Sequence, residues 1–137
     1  VRAFFDSSAF AKRYIEESGS QAVDAICTRA TELALSVVCI PEILSALNRR
    51  VREGNLSRRY YEQAKKRLSE DVEDAIIVNL TSPVISTCTA ILEANPIRAL
   101  DALHIACAVQ WEADLFVSGD KRQLSAARRA GLRTKSV

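Results

Sequence analysis

The chain has 137 residues, 48% of them hydrophobic and 26% charged, with a formal net charge of +2. That length suits one folded domain, and this balance of apolar and charged residues excludes intrinsic disorder. The small net charge excludes a protein that coats nucleic acid through bulk charge but permits a local basic surface. Val1 to Phe5 reads as a short strand and Ser8 to Ile15 as a short helix, broken at Glu16-Glu17-Ser18-Gly19. Gln21 to Arg29 is a second helix, and Leu33 to Val38 is an apolar run without alternation, as in a strand buried on both faces. Pro41 suits the first turn of a helix that runs to Glu53 and stops at Gly54. Ser57 caps a long polar helix reaching Asp74, and Ala75 to Leu80 is a third strand. Ser82-Pro83 opens a helix that Asn95-Pro96 ends. Ala99 to Gln110 is a strongly apolar helix and Leu115 to Ser118 a fourth strand. After the tight turn Gly119-Asp120, Lys121 to Ala130 is a last helix closed by Gly131, and Arg133 to Val137 a fifth, edge strand. The alternation predicts one α/β domain over residues 1–137. Its central sheet is expected to be mostly parallel, with four to five strands and helices on both faces.

The four cysteines, Cys27, Cys39, Cys88 and Cys107, form no C-x-x-C pair and sit among apolar neighbours. They read as reduced, buried small hydrophobes, which speaks against structural zinc and for a cytoplasmic protein. No apolar run approaches the ~18 residues of a membrane span, and no leader pattern is present. The sequence contains no methionine, so the natural start is expected upstream of Val1.

In open parallel sheets, ligands bind beyond the carboxyl ends of the strands. Asp6 follows the first strand, Glu42 the second and Asp120 the fourth, so three acids fall on that edge. Asp101 lies on the apolar helix, where it and His104 are the only polar side chains between Ala99 and Val109 and share a face. A carboxylate on a buried helix must be paired, hydrogen-bonded or bound to metal. Each acid also has an ordinary reading: Asp6 and Asp120 as helix caps, Glu42 and Asp101 as first-turn acids complementing a helix dipole. Taken together, four acids on one rim repel one another unless they share a cation. All-oxygen ligands select Mg²⁺ or Mn²⁺, and such an ion suits phosphate chemistry.

His104 is the only histidine, so two-histidine ribonuclease chemistry is unavailable to a single chain. It reads as a hydrogen-bonded core residue. A Ser-His-Asp hydrolase fits poorly, because no G-x-S-x-G elbow occurs. Lys121 and Arg122, beside Asp120, are candidates for RNA phosphate contacts, and so is Lys12, one turn beyond Ser8. Arg49-Arg50-Val51-Arg52 and Arg128-Arg129 are further basic clusters, whereas Arg58-Arg59 with Lys65-Lys66-Arg67 reads as a solvated helix face. Tyr61, Ala64, Leu68 and Val72 form a core-facing stripe, and Tyr60 is left free to stack on a base or line a protein groove.

The motifs Phe5-Asp6-Ser7-Ser8-Ala9 with Lys12, Pro41-Glu42-Ile43, Arg98-Ala99-Leu100-Asp101-Ala102-Leu103-His104-Ile105-Ala106 and Val117-Ser118-Gly119-Asp120-Lys121 resemble the PIN domain. Within that family the chain is similar to the VapC-type toxins of toxin–antitoxin pairs. The resemblance spans essentially the whole chain and implies a PIN-like domain with metal-dependent endoribonuclease activity. It places Asp6, Glu42, Asp101 and Asp120 at the family's acidic positions, as catalytic residues and ligands of Mg²⁺ or Mn²⁺. Ser8 matches the hydroxyl after the first aspartate, and Ser118 stands where relatives often carry threonine. Both are expected to hydrogen-bond the carboxylates, water or phosphate. The resemblance further implies an RNA substrate, a small antitoxin that plugs the site, and homodimers. The competing readings are a phosphorylatable receiver domain and a non-cleaving PIN-like binding domain. The receiver wants an acidic pair after the first strand, where Asp6 is followed by Ser7, and a phosphoacceptor aspartate where Thr81-Ser82 stand. A haloacid-dehalogenase-like phosphatase wants a second aspartate where Ser8 stands.

Overall fold

The computed structural model describes residues 1–137. Five strands, β1 (Arg2–Phe5), β2 (Glu32–Ser36), β3 (Ile76–Val78), β4 (Leu115–Ser118) and β5 (Thr134–Ser136), form one sheet in the order β3-β2-β1-β4-β5. Every pairing is parallel, so the sheet is wholly rather than mostly parallel. Seven helices connect the strands: α1 (Ser7–Phe10), α2 (Ser20–Arg29), α3 (Cys39–Arg52), α4 (Arg58–Asp74), α5 (Ser82–Ala94), α6 (Ala99–Trp111) and α7 (Lys121–Arg129).

Phe4 and Phe5 show why both faces are covered. Successive side chains of a strand point to opposite faces. Phe5 enters a core with Phe10, Tyr14, Leu35, Ile43 and Leu68. Phe4 enters a second core with Ile91, Ile105, Leu124 and Phe116, stacking on Phe116 at 5.9 Å between centroids. Burying a phenylalanine is worth about 1.5–3 kcal/mol, so this dipeptide anchors β1 as the middle strand from both sides.

The chain moves outward from β1 through β2 to β3, then returns to place β4 on the other side of β1. Strand order reverses between β1 and β4, which opens a crevice at their carboxyl ends. The residues just past those ends are Asp6, whose N–H donates to Val117 O at 3.1 Å, and Gly119-Asp120.

Two local expectations are corrected, the first helix and the ends of two strands. The helix expected over Ser8 to Ile15 is a single α-turn, α1, followed by a 3₁₀ turn at Ala11–Arg13. Pro41 falls in the first turn of α3 as expected: the helix starts at Cys39, and proline is tolerated there because the first N–H groups of a helix need no intrahelical partner. The second and third strands end earlier than read, at Ser36 and Val78. No helix is long and apolar enough to cross a membrane. All four cysteines are free, three of them buried, and burial pushes the Cys39 thiol up to about 12.

Candidate active site

Asp6 is 3% exposed and caps α1, its Oδ1 accepting the Ala9 N–H at 2.8 Å. The Ser8 hydroxyl lies 2.9 and 2.7 Å from the two Asp6 oxygens, and Ser118 Oγ lies 3.1 Å from Oδ2. Burial raises the Asp6 pKa, outweighing these hydrogen bonds and the charge of His104. Asp120 caps α7 in the same manner: its Oδ1 accepts the N–H groups of Arg122 and Gln123 at 2.9 and 3.1 Å. The capping and functional readings of these aspartates are therefore compatible, because a cap uses one oxygen and each carboxylate has lone pairs to spare.

Glu42, in the first turn of α3, is gripped at a single oxygen. Ser7 Oγ donates to Oε1 at 2.6 Å, and His104 Nε2 lies 2.5 Å from the same atom. A carboxylate only accepts, so the ring nitrogen is the donor. Burial alone would raise the Glu42 pKa, but the bonds from His104 and Ser7 and the charge of His104 hold it below the usual carboxylate range. Asp101 makes no side-chain hydrogen bond. Burial raises its pKa first, and the negative charges of Asp120, Asp6 and Glu42 add to the rise. Asp101, Glu42 and Asp120 line one open cleft of about 860 Å³, together with Arg98, Leu100, Lys121 and Arg122.

Gln123 ties this edge together and was not singled out from sequence. It is fully buried on α7, its Oε1 accepting from Ser118 Oγ at 2.8 Å and its Nε2 donating to Asp101 O at 3.1 Å. Ser118 Oγ also accepts the Asp120 N–H at 2.9 Å, and Ser8 Oγ accepts the Gly119 N–H at 3.2 Å. One hydroxyl and amide network thus fixes the ends of β1 and β4 and the start of α6.

The chain belongs to the PIN domain family. The family matches residues 3–129. The chain is 28% identical over 132 residues to ribonucleases VapC45 and VapC49 of Mycobacterium tuberculosis, covering 95% of this chain and 92% of each relative. The fold is shared with DNA-bound VapBC from Salmonella typhimurium, at a TM-score of 0.71 with 9% identity over 99% of this chain and 98% of that one. It is shared too with VapC20 of Mycobacterium tuberculosis, a sarcin–ricin-loop-cleaving toxin, at 0.69 with 17% identity over 90% and 94%. Of the four acids read from the sequence, Glu42, Asp101 and Asp120 line this cleft, whereas Asp6 is buried and hydrogen-bonded to Ser8 and Ser118.

Other residues depart from expectation. Glu42, Asp101 and Asp120 share the cleft, but no three His, Cys, Asp or Glu side chains are closed around one metal-ligating point. The gathering at a single point expected from sequence is replaced by a looser arrangement, as mutual repulsion favours. The donor set still fits Mg²⁺, which keeps several waters and needs one or two carboxylates plus substrate phosphate rather than a closed cage. Lys12 is committed elsewhere, its ammonium bonded to Ser18 O at 2.6 Å and Val137 O at 3.3 Å. Tyr60 donates its hydroxyl to Tyr14 O, tying α4 to the end of the 3₁₀ turn. His104 is the buried, hydrogen-bonded residue expected, but its partners are Glu42 and Ser7 of the site.

Proposed function

We propose that this PIN domain protein is a divalent-metal-dependent endoribonuclease and the toxin of a toxin–antitoxin pair. The observation that carries the reading is geometric: Asp101, Glu42 and Asp120 line one open cleft, and burial together with the charges of Asp120, Asp6 and Glu42 works against ionisation of Asp101 there. A site that is electrostatically frustrated without a cation is a site prepared for one. Asp101, Asp120, Glu42 and Asp6 would hold Mg²⁺ or Mn²⁺. When bound, such an ion polarises a phosphoryl oxygen and lowers the pKa of a water.

The chain's own residues do the rest. Lys121 and Arg122 open α7 and line the cleft, so a phosphate there meets two cations. Glu42 has one oxygen fixed by Ser7 and His104 and makes no protein hydrogen bond through the other, which suits it to orient an attacking water. Ser8 and Ser118 hold Asp6 in place. The adjoining acids, intact in this chain, favour cleavage over binding alone.

The likeness to two VapC ribonucleases supports RNA as substrate. The shared fold with toxin–antitoxin complexes, among them one from Klebsiella pneumoniae at a TM-score of 0.69, supports an antitoxin partner. Ile85 and Leu92, exposed on one stripe of α5, suit a homodimer contact. The test is cleavage of structured RNA with Mg²⁺, Mn²⁺ or EDTA by the unmodified chain, Asp6→Asn and Asp101→Asn. Metal-dependent cleavage that falls roughly a hundredfold or more in both variants is expected. Cleavage that persists in EDTA and in both variants refutes the reading.

A further inference from the structure

A second groove adjoins the cleft. It has a volume of about 660 Å³ and is lined by Pro41, Glu42, Ser45, Arg49, Arg52 and Leu100, among others. Glu42 and Leu100 belong to both cavities, so the two are continuous at the acids. The α3 residues that line it recur three and four apart, which puts them on one face of the helix. At a rise of 1.5 Å per residue, Arg49 stands about 10 Å and Arg52 about 15 Å beyond Glu42 along the axis.

We propose that this groove is a subsite for the backbone of single-stranded RNA flanking the scissile phosphate, with Arg49 and Arg52 taking successive phosphates. The inference rests on the nuclease reading and extends it to how the substrate lies. Three observations carry it. Cations lie in both cavities that meet at Glu42: Arg49 and Arg52 line the groove, and Arg98, Lys121 and Arg122 line the cleft with Asp101 and Asp120. A polyanion passing from one cavity to the other thereby meets cations in both. Glu42 is the groove's only acid, and the one competing pair, Arg49 Nε to Glu53 Oε1 at 3.5 Å, is largely exposed. Such a surface pair is weak and yields to a bidentate phosphate contact. Leu100, 44% exposed, stands where the cavities meet, an apolar ridge for a base face or sugar. A flexible single strand can bend over that ridge with its bases splayed, whereas a stiff duplex cannot. Ser45 and Ala46 line the groove as small, exposed residues and offer little of the apolar surface that a helical peptide's anchors need.

The test is fluorescence anisotropy in EDTA, which separates binding from cleavage, with a labelled single-stranded RNA of roughly twelve nucleotides. The unmodified chain is compared with Arg49→Ala/Arg52→Ala and with Arg59→Ala/Lys66→Ala, which removes the same charge from exposed positions of α4 outside both cavities. The groove variant is expected to bind roughly tenfold more weakly, with the slope of log affinity against log salt reduced by about 1.4, while the α4 variant stays within about twofold. With Mn²⁺ added, the groove variant is expected to show a raised KM and a kcat within about threefold. No RNA binding by the unmodified chain, or equal losses in the two variants, overturns the subsite. So does a groove variant that keeps RNA binding but loses binding of a poly-glutamate peptide, which would mark a protein-docking groove. RNA binding that follows the groove with no cleavage in any metal would leave the subsite standing and defeat the nuclease reading instead.

Discussion

His104 Nε2 lies 2.5 Å from Glu42 Oε1, joining the middle of α6 to the first turn of α3 across the carboxyl edge of the sheet. With Ser7 Oγ at 2.6 Å from the same oxygen, this contact fixes where the Glu42 carboxylate sits at the cleft. His104 is 1% exposed, so it acts on Glu42 from behind and positions it without reaching substrate. Ser7→Ala removes one of the two donors without opening a large cavity. It is expected to slow RNA cleavage roughly tenfold at a stability cost of about 1 kcal/mol. His104→Ala is expected to slow cleavage further and cost about 2–4 kcal/mol, because it also leaves a void. Single-turnover rates and thermal unfolding of the two variants separate positioning from stability. Unchanged cleavage in both would mean that Glu42 needs no support.

Asp101 carries the pH prediction. Its folded-state pKa is raised by burial and by Asp120, Asp6 and Glu42. A raised group stabilises the fold below its unfolded pKa and loses that contribution as pH climbs through the folded value. Metal-free Asp101→Asn, which never acquires the charge, is therefore expected to equal or exceed the unmodified chain in stability at neutral pH. The advantage should vanish below about pH 4, where the unmodified carboxyl is protonated as well. Urea unfolding in EDTA across that range checks it. A marked loss of stability in Asp101→Asn at pH 7 would contradict the repulsion that the four acids imply.

Ser118 carries a structural prediction. Its hydroxyl, fully buried, serves Gln123 Oε1, Asp6 Oδ2 and the Asp120 N–H. In Ser118→Ala the buried Gln123 oxygen loses its donor and the Asp120 amide its acceptor, a cost of about 1–3 kcal/mol for each group left unpaired. The expected result is a lower midpoint of denaturant unfolding together with slower cleavage, since Asp120 and the start of α6 are held through the same network. Full stability would show that water replaces the hydroxyl.

The acids could be found in the sequence because of where they fall. Asp6, Glu42 and Asp120 follow runs that read as strands, and Asp101 interrupts an apolar helix, so each is conspicuous in the sequence. Strand β4 and the span of α5 were legible to within a residue, because Ser-Pro, Asn-Pro and Ser-Gly-Asp mark their ends. The positioning residues were hidden for the opposite reason. Gln123 lies in Lys121-Arg122-Gln123-Leu124, where nothing distinguishes a buried amide from a solvated one. The role of Ser7 depends on Glu42, thirty-five residues away, and only tertiary contact pairs them. Lys12 looked available for phosphate because sequence shows its place on α1's continuation but not the Ser18 carbonyl that claims its ammonium.

The most direct measurement of the central claim is a manganese titration of the unmodified chain and Asp101→Asn without RNA, followed by calorimetry and by the rise in thermal midpoint. The unmodified chain is expected to bind Mn²⁺ and, at a hundred times the dissociation constant, to gain about 2.7 kcal/mol of stability by linkage. Asp101→Asn is expected to lose most of that affinity. An unmodified chain that takes up no divalent ion, or a variant that binds it equally well, would contradict the assignment of these four acids as a metal site.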